Sequence, residues 1–522
     1  MKGSVKKTVG SMSIISAVAL VLGAVQAIVI ARAFGTARMY DLYLLVAIVP
    51  EIVIIFTQYL LIALVLPFFH RWEAEYGEEQ AWRELWNVTN VIIAVYIAAA
   101  GVLILTAPYV AAGVIPKAST TEIAEGTFIL RLLAPIIVTS LCLRIFLSVH
   151  NARESFVFPA ALNAVPSLII IASVLALASR AGVYAIAVGA LAGSIVQATF
   201  LSIGVLKSGA RFWRPTLNPT RPAARAFFAA VLPLAAGAAA DQINTLVDRN
   251  VAVRVAEGAV SSLKYGYTIM GFASALFSIP LARVSFMYFS RDAAGERKGE
   301  VTKRLERTLV QLAVFYVPAS VGLFILAEPV IGFLFHGGRF DAESLNLTVE
   351  AVRAYSVGLV FLVALGMVRA AAYALQRYWF FSAIAVGAVG LTVGADLFFA
   401  AWFGHWGIAL ARGLVNATWV SAVLFYLGTR DGVRLKGSSL LTFVKVIAAA
   451  AAMGLLVWWL YGLGWDAGLS GRVGYLVKLA YPTVAGAFVY AGLVILLKVE
   501  PARELANSVA RWFKGERNRI ER

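Results

Sequence analysis

Apolar stretches long enough to cross a membrane follow one another along the chain, and the polar connections between them stay within about twenty residues. A helix needs about 20 apolar residues to cross about 30 Å of hydrocarbon. The pattern therefore predicts an all-α polytopic membrane protein with about fourteen transmembrane helices and no water-exposed catalytic domain. The predicted spans are 12–34, 41–69 (with Pro50 as a break point), 87–112, 124–148, 158–179, 183–206, 225–250, 258–285, 308–334, 347–375, 379–404, 406–429, 439–464 and 475–497.

Composition supports this class of protein. Hydrophobic residues make up 61% of the 522 residues, charged residues only 14%, and the mean hydropathy is +0.83. Soluble domains carry about 25% charged residues. The N-terminal apolar run after Lys6 and Lys7 is too long for a signal peptide and is predicted to be a retained first span. The single cysteine, Cys142, excludes an intramolecular disulfide.

The net charge of +17 is distributed asymmetrically between alternate connections. Basic residues cluster before the first span, at 207–221, at 291–307, at 430–436 and in the C-terminal tail. This is the positive-inside pattern, and it places both termini in the cytoplasm. Anionic membrane lipid, and not nucleic acid, accounts for the basicity. Segment 70–86 and the tail 501–522 mix aromatic and charged residues, which predicts helices lying at the membrane interface.

A weak internal duplication suggests the domain organisation. Spans four and five carry Arg131 and Arg144, and spans ten and eleven carry Arg353 and Arg369 at similar places. Parallel repeats of this kind place a transporter's substrate site between two halves. The predicted division is an N-terminal lobe of spans 1–6 (1–206), a basic cytoplasmic linker (207–224), a C-terminal lobe of spans 7–12 (225–430), spans 13 and 14 (431–500) and a basic amphipathic tail (501–522).

Ionisable residues lie deep inside several predicted spans. Each costs about 2.5–3.5 kcal/mol at the bilayer centre, so such residues usually face a cavity or a partner. Arg32, Arg283 and Lys264 are within reach of an interface. Asp248 with Arg249, and Asp396 with Arg412, are alternatively explained as internal ion pairs. The number of deep charges nevertheless favours a hydrated cavity; the others are Glu51, Arg131, Arg144, Asp241 and Arg369.

Catalytic motifs are missing from the sequence. The four histidines are scattered, and no zinc-protease, Walker A or paired-aspartate motif occurs. The sequence predicts a transporter with no cofactor and no metal site, driven by an ion gradient or the membrane potential. A membrane-embedded enzyme is the least favoured class.

Several short motifs follow one another along the chain. They are Val21-Leu22-Gly23, Ala31-Arg32-Ala33-Phe34-Gly35, Asp41, Pro50, Phe158-Pro159-Ala160, Gln242-Ile243-Asn244, Gly258-Ala259-Val260-Ser261, Leu334-Phe335-His336-Gly337-Gly338-Arg339-Phe340-Asp341 and Gly404-His405-Trp406-Gly407-Ile408-Ala409-Leu410-Ala411. Their order and spacing resemble the MurJ/MviN family of lipid II flippases, within the superfamily of multidrug and lipid-linked-oligosaccharide exporters.

The resemblance implies two six-helix lobes in a V-shaped arrangement, plus two C-terminal helices that help form a groove for a lipid tail. It implies that the protein flips a polyprenyl-diphosphate-linked glycan from the cytoplasmic to the outer leaflet of the bacterial inner membrane by alternating access, with no obligate protein partner. The family's cavity arginines, however, fall on Gln26, Ile54, Ile55 and Thr268, and an acidic position falls on Gln58. Either another lipid-linked glycan is moved, or the positive charge lies elsewhere.

The sequence offers replacement charges for this headgroup. Guanidinium groups donate paired hydrogen bonds to phosphate oxygens, so the predicted headgroup residues are Arg131, Arg144 and Arg369, with Glu51 and Arg32 as further candidates. The resemblance places a monovalent-cation site near Asp248 and Asp396, where a proton is the alternative ion. Arg412 occupies the position of a small hydroxyl residue and is predicted to pair with Asp396. A cation-coupled efflux transporter for small amphiphiles remains the alternative function.

Overall fold

The structure is a computed structural model and describes residues 2–152, 155–207, 216–295, 298–432, 437–464, 468–469 and 471–500. The chain divides into two compact units, each of which is described separately. The first consists of Met1–Ser261 and Gly338–Phe340, and the second of Ser262–Gly337 and Asp341–Arg522. The described residues are almost entirely helical, which confirms the predicted all-α class.

The first unit is built around α4, which packs against α2, α3 and α7. Helix α6 packs against α7 and α1, and α8 packs against α2 and α3. The helices are α1 (Lys2–Phe34), α2 (Arg38–Tyr76), α3 (Glu78–Val114), α4 (Thr120–Ala152), α5 (Val157–Leu162), α6 (Val165–Ala181), α7 (Tyr184–Lys207) and α8 (Pro222–Val255).

The second unit contains most of α9 and all later helices. Helix α12 packs against α13 and α10, and the C-terminal α14 and α15 pack on α10, on α11 and on each other. The helices are α9 (Ala259–Ala294), α10 (Lys298–Ile325), α11 (Ala327–Phe335), α12 (Ala342–Ala374), α13 (Tyr378–Arg430), α14 (Gly437–Gly462) and α15 (Gly471–Leu496).

Each predicted span falls within these helices, although several boundaries differ. Helix α2 continues through Pro50, the fifth span is divided between α5 and α6, and the ninth is divided between α10 and α11. Spans eleven and twelve are the two arms of α13, which bends at Gly404 with a φ of 63°. Among the described residues, 10 helical stretches are long and apolar enough to cross a membrane. The count of fourteen crossings stays a prediction.

The predicted single helix at 70–86 is wrong, whereas the position of this segment at the membrane interface stays a prediction. Residues 70–76 continue α2, a turn at Gly77 follows, and α3 begins at Glu78. The tryptophans Trp72, Trp82 and Trp86 are only 3%, 4% and 7% exposed and belong to one hydrophobic cluster of the first unit. An apolar helix face can cover another helix as well as a lipid surface, and here it covers α8 and its neighbours. The tail 501–522 lies outside the described residues.

The segment before α8 is fastened to α3 by a row of polar side chains. The Asn87 amide nitrogen donates to the Asn218 carbonyl at 2.8 Å, and the Asn218 N–H donates back to the Asn87 side-chain oxygen at 2.8 Å. The Asn90 amide donates to the Thr216 carbonyl at 2.9 Å. These bonds fix where α8 begins. The predicted lobe boundary at 224/225 stays a prediction, although α8 itself belongs to the first unit.

Candidate functional site

Two predicted headgroup arginines lie on α4 but at different depths. Arg131 is exposed, and its Nε donates to the Ile104 carbonyl of α3 at 3.3 Å. Arg144 is half-buried. They are thirteen residues apart, which corresponds to about 20 Å along a helix. This separation along the helix exceeds the length of a diphosphate.

A partly buried ion pair joins α8 to α2 within the first unit. Arg249 Nη2 donates to Glu51 Oε2 at 2.8 Å, and Arg249 Nη1 donates to the Leu44 carbonyl at 2.6 Å. The Arg249 side chain is only 11% exposed, whereas that of Glu51 is 40% exposed. The sequence alone suggests Asp248 as a partner for Arg249 and makes Glu51 a headgroup candidate. The structure brings Glu51 and Arg249 together.

Asp41 forms a second connection in the first unit that sequence analysis did not place among the site residues. Its carboxylate is fully buried and accepts hydrogen bonds from the N–H groups of Gly258 and Ser261, both at 2.8 Å. The Gly258 N–H belongs to the turn that follows α8, and the Ser261 N–H belongs to the first turn of α9. A carboxylate that accepts backbone N–H groups at the start of a helix is electrostatically favourable. The one sequence signal for this role was the position of Asp41 in the motif that begins at Val21.

Arg32 contributes its backbone to the first unit. The Arg339 N–H donates to the Arg32 carbonyl at 2.8 Å. The neighbouring Gly338 has a φ of +64° and a Cβ there would collide with the same carbonyl, so only glycine fits. The Gly338–Phe340 segment therefore packs with α1 through its main chain. The role of the Arg32 side chain in headgroup binding stays a prediction.

The remaining candidates lie in the second unit. Arg369 is exposed on α12. Asp396 is fully buried and Arg412 half-buried, on the two arms of α13 that meet at Gly404. Their predicted ion pair and the cation site stay predictions. Within the described ranges, no group of three or more His, Cys, Asp or Glu side chains gathers as a metal site.

The positions at which the resemblance implied cavity arginines carry no charge. Gln26 on α1 and Ile54 and Ile55 on α2 are partly buried in the first unit. In the second unit, the Thr268 hydroxyl donates to the Lys264 carbonyl one turn earlier at 2.8 Å, which satisfies it locally. Positive charge in the described part of the membrane region is therefore supplied by residues at other positions.

Two solved structures share the fold of these helices. A solved structure described as "Lipid II flippase MurJ, inward closed conformation" superposes with a TM-score of 0.79 over 93% of this chain and 98% of that chain, at 20% identity. An inward-facing multidrug resistance MATE family transporter of the MOP superfamily superposes with a TM-score of 0.67 over 79% of this chain and 94% of that chain, at 13% identity. At these identities the likeness establishes the fold.

Sequence comparison identifies the family. The family model described as "Lipid II flippase MurJ" matches residues 30–471, so the chain belongs to this family. The lipid II flippase MurJ of Burkholderia cenocepacia is 25% identical over 70% of this chain and 72% of its own length. The probable lipid II flippase MurJ of Thermotoga maritima is 24% identical over 96% of this chain and 98% of its own. The predicted family is confirmed.

Proposed function

We propose that this chain flips lipid II, or a closely related polyprenyl-diphosphate glycan, from the cytoplasmic to the outer leaflet. The observation that carries the proposal is the family match over residues 30–471. Membership of a flippase family makes the protein a transporter and not an enzyme. Its apolar helices and bacterial relatives make it a multi-pass protein of the bacterial inner membrane. The MATE likeness concerns the fold and does not favour efflux.

The physical task is to carry a charged diphosphate and its sugars through hydrocarbon. Unpaired charge in such a medium costs many kcal/mol, so the path needs cationic groups. Because Arg131 and Arg144 are about 20 Å apart along α4, we propose that they bind the headgroup one after the other. Arg369, in the second unit, stays a headgroup candidate. Anionic lipid binds the basic cytoplasmic segments, and both termini lie in the cytoplasm.

The lipid tail is proposed to remain in contact with α14 and α15. These helices expose large apolar side chains along most of their length, including Leu455, Trp458, Val484 and Phe488. They are also fastened to α10, since the Tyr490 hydroxyl donates to the Val314 carbonyl at 2.7 Å. A firmly held apolar surface suits a tail that must stay in lipid while the headgroup crosses.

Replacement of a bacterium's own lipid II flippase tests this function in cells. The chain is expressed while the resident flippase is depleted, and growth and cell shape are scored. We expect growth to be restored by the wild-type chain and reduced by Arg131→Ala, Arg144→Ala or Arg369→Ala. Arg180→Ala, at an exposed arginine at the end of α6, is the control and should not reduce growth.

Two results would argue against the assignment. If the chain reaches the membrane but never supports growth, lipid II is not its substrate and another polyprenyl-diphosphate glycan must be tested. If it instead exports a small cationic dye in the same cells, the efflux function replaces flipping. Full rescue by the triple arginine variant would exclude these three residues as headgroup ligands.

A further inference from the structure

The Glu51–Arg249 pair differs from an ordinary structural ion pair in its one-sided exposure. Arg249 is nearly enclosed, with one nitrogen bonded to Glu51 Oε2 and another to the Leu44 carbonyl. Glu51 is 40% exposed, so the pair can be approached from the side of its carboxylate. An incoming anion therefore meets Glu51 before it reaches the guanidinium.

The local backbone holds Arg249 in place without neutralising it. The Leu44 carbonyl accepts from Arg249 Nη1 but carries no net charge. Pro50, directly before Glu51, lacks an N–H, so α2 also leaves the Val46 carbonyl without its usual donor in this turn. Glu51 is thus the charged group that balances Arg249 on α2. If Glu51 moved away, the guanidinium would remain positioned by a carbonyl and retain its charge.

The next turn of α2 brings no competing cation or anion. Ile54 and Ile55 follow Glu51 by three and four residues and lie on the same side of the helix. An anion bound at Arg249 would therefore have these two apolar side chains of α2 beside it. A guanidinium offers five N–H donors and matches two phosphate oxygens at once.

We propose that Glu51 holds Arg249 in reserve, and that the diphosphate of the transported lipid displaces Glu51 and binds the Arg249 guanidinium. Glu51 and Arg249 are then specificity-determining residues of this chain. The exchange also loosens the charged connection between α2 and α8, so that binding of the correct anion favours movement of α8. This inference rests on the proposed function and assigns its headgroup contact within the first unit.

Binding of undecaprenyl diphosphate to purified full-length protein in detergent tests the exchange. Glu51→Gln keeps the size of the side chain and a hydrogen-bond acceptor but removes the competing charge, so we expect Kd to fall about two- to fivefold, as loss of a partly exposed ion pair predicts. Arg249→Ala removes the guanidinium, and we expect Kd to rise at least about tenfold, since charged hydrogen bonds to phosphate are lost. Undecaprenol, which lacks phosphate, should bind all variants equally.

Matched controls separate this exchange from general electrostatics. Glu122→Gln removes the acid of another ion pair in the first unit, with Arg38 at 2.8 Å, and should leave Kd unchanged. Glu51→Gln should lower Kd only when Arg249 is present, so the double variant Glu51→Gln/Arg249→Ala should have the same Kd as Arg249→Ala. An excess of phosphatidylglycerol, a source of single phosphate groups, should not displace the diphosphate lipid.

Several outcomes would overturn the inference. Weaker binding by Glu51→Gln would mean that the carboxylate supports the site and does not compete. Unchanged binding by a monodisperse Arg249→Ala would remove the guanidinium from the headgroup site. An equal fall in Kd for Glu51→Gln and Glu122→Gln would indicate a long-range charge effect. Displacement by phosphatidylglycerol would make the site a phospholipid site. If the wild-type protein binds no polyprenyl diphosphate, the proposed function fails instead.

Discussion

A glycine contact between α12 and α13 allows the sharpest test of the second unit's packing. Gly413 of α13 and Gly358 of α12 face each other through their backbones. A Cβ placed on Gly413 would lie 2.8 Å from the Gly358 Cα, whereas ordinary van der Waals contacts begin at 3.4 Å. Small residues at such crossings let membrane helices approach closely. Gly413→Ala must therefore separate the two backbones by about 0.6 Å or distort one of them, which is overpacking.

The magnitude follows from two opposing effects. Overpacking costs about 1–3 kcal/mol, while replacing a helical glycine by alanine stabilises by about 0.5–1 kcal/mol. Gly390 lies on the same helix, and a Cβ added there would meet no heavy atom within 4 Å, so Gly390→Ala has only the second effect. The difference in free energy of unfolding between the two variants should therefore equal the overpacking cost alone.

Reversible unfolding in mixed micelles, titrated with SDS, measures this difference. Tryptophan fluorescence is a suitable signal because Trp419 is buried on α13. We expect Gly413→Ala to be less stable than Gly390→Ala by about 1–3 kcal/mol. Equal stability of the two variants would show that α12 and α13 are not in backbone contact in the folded protein.

Three further predictions concern other parts of the molecule. Asn87→Leu removes the two hydrogen bonds with Asn218, both at 2.8 Å, and should lower the free energy of unfolding by about 1–3 kcal/mol in the same titration. An unchanged free energy would show that these bonds do not stabilise the fold. The Ser344 N–H, which donates to the Asp341 carboxylate, holds the pKa of Asp341 below its usual 3.8. This cap therefore stabilises the fold above pH 3.8, and the stabilisation is lost as pH falls through the lowered pKa. Asp341→Asn should flatten this acid part of the plot of unfolding free energy against pH, and a plot identical to that of the wild type would contradict the prediction. If Arg412 pairs with Asp396, transport should run equally fast in sodium and in choline buffers. A sodium requirement that disappears in Asp396→Asn would contradict this pairing.

The helices were predictable because lipid imposes a local requirement. Every backbone polar group in hydrocarbon must be satisfied within its own helix, so length and apolarity reveal the spans directly. The bend at Gly404 lies between the predicted eleventh and twelfth spans. The buried Trp82 was misassigned because an amphipathic pattern looks the same whether the apolar face covers lipid or another helix.

The charged contacts were not predictable from one sequence. Arg249 and Glu51 are 198 residues apart, and Asp41 and Gly258 are 217 apart, so no local pattern links them. The sequence alone shows that Glu51 and Arg249 are costly in a membrane, and it shows Asp41 only as part of a motif. The three-dimensional arrangement was needed to show which of these charges neutralise each other.

Lipid translocation by the purified protein can be measured in liposomes. Liposomes containing lipid II, with and without the protein, are assayed for the rate at which the headgroup becomes accessible on the opposite face, in the absence of ATP. We expect a rate well above that of protein-free liposomes, reduced by Arg249→Ala and unaffected by Glu122→Gln. A rate equal to that of protein-free liposomes, for lipid II and for other polyprenyl-diphosphate glycans alike, would contradict it.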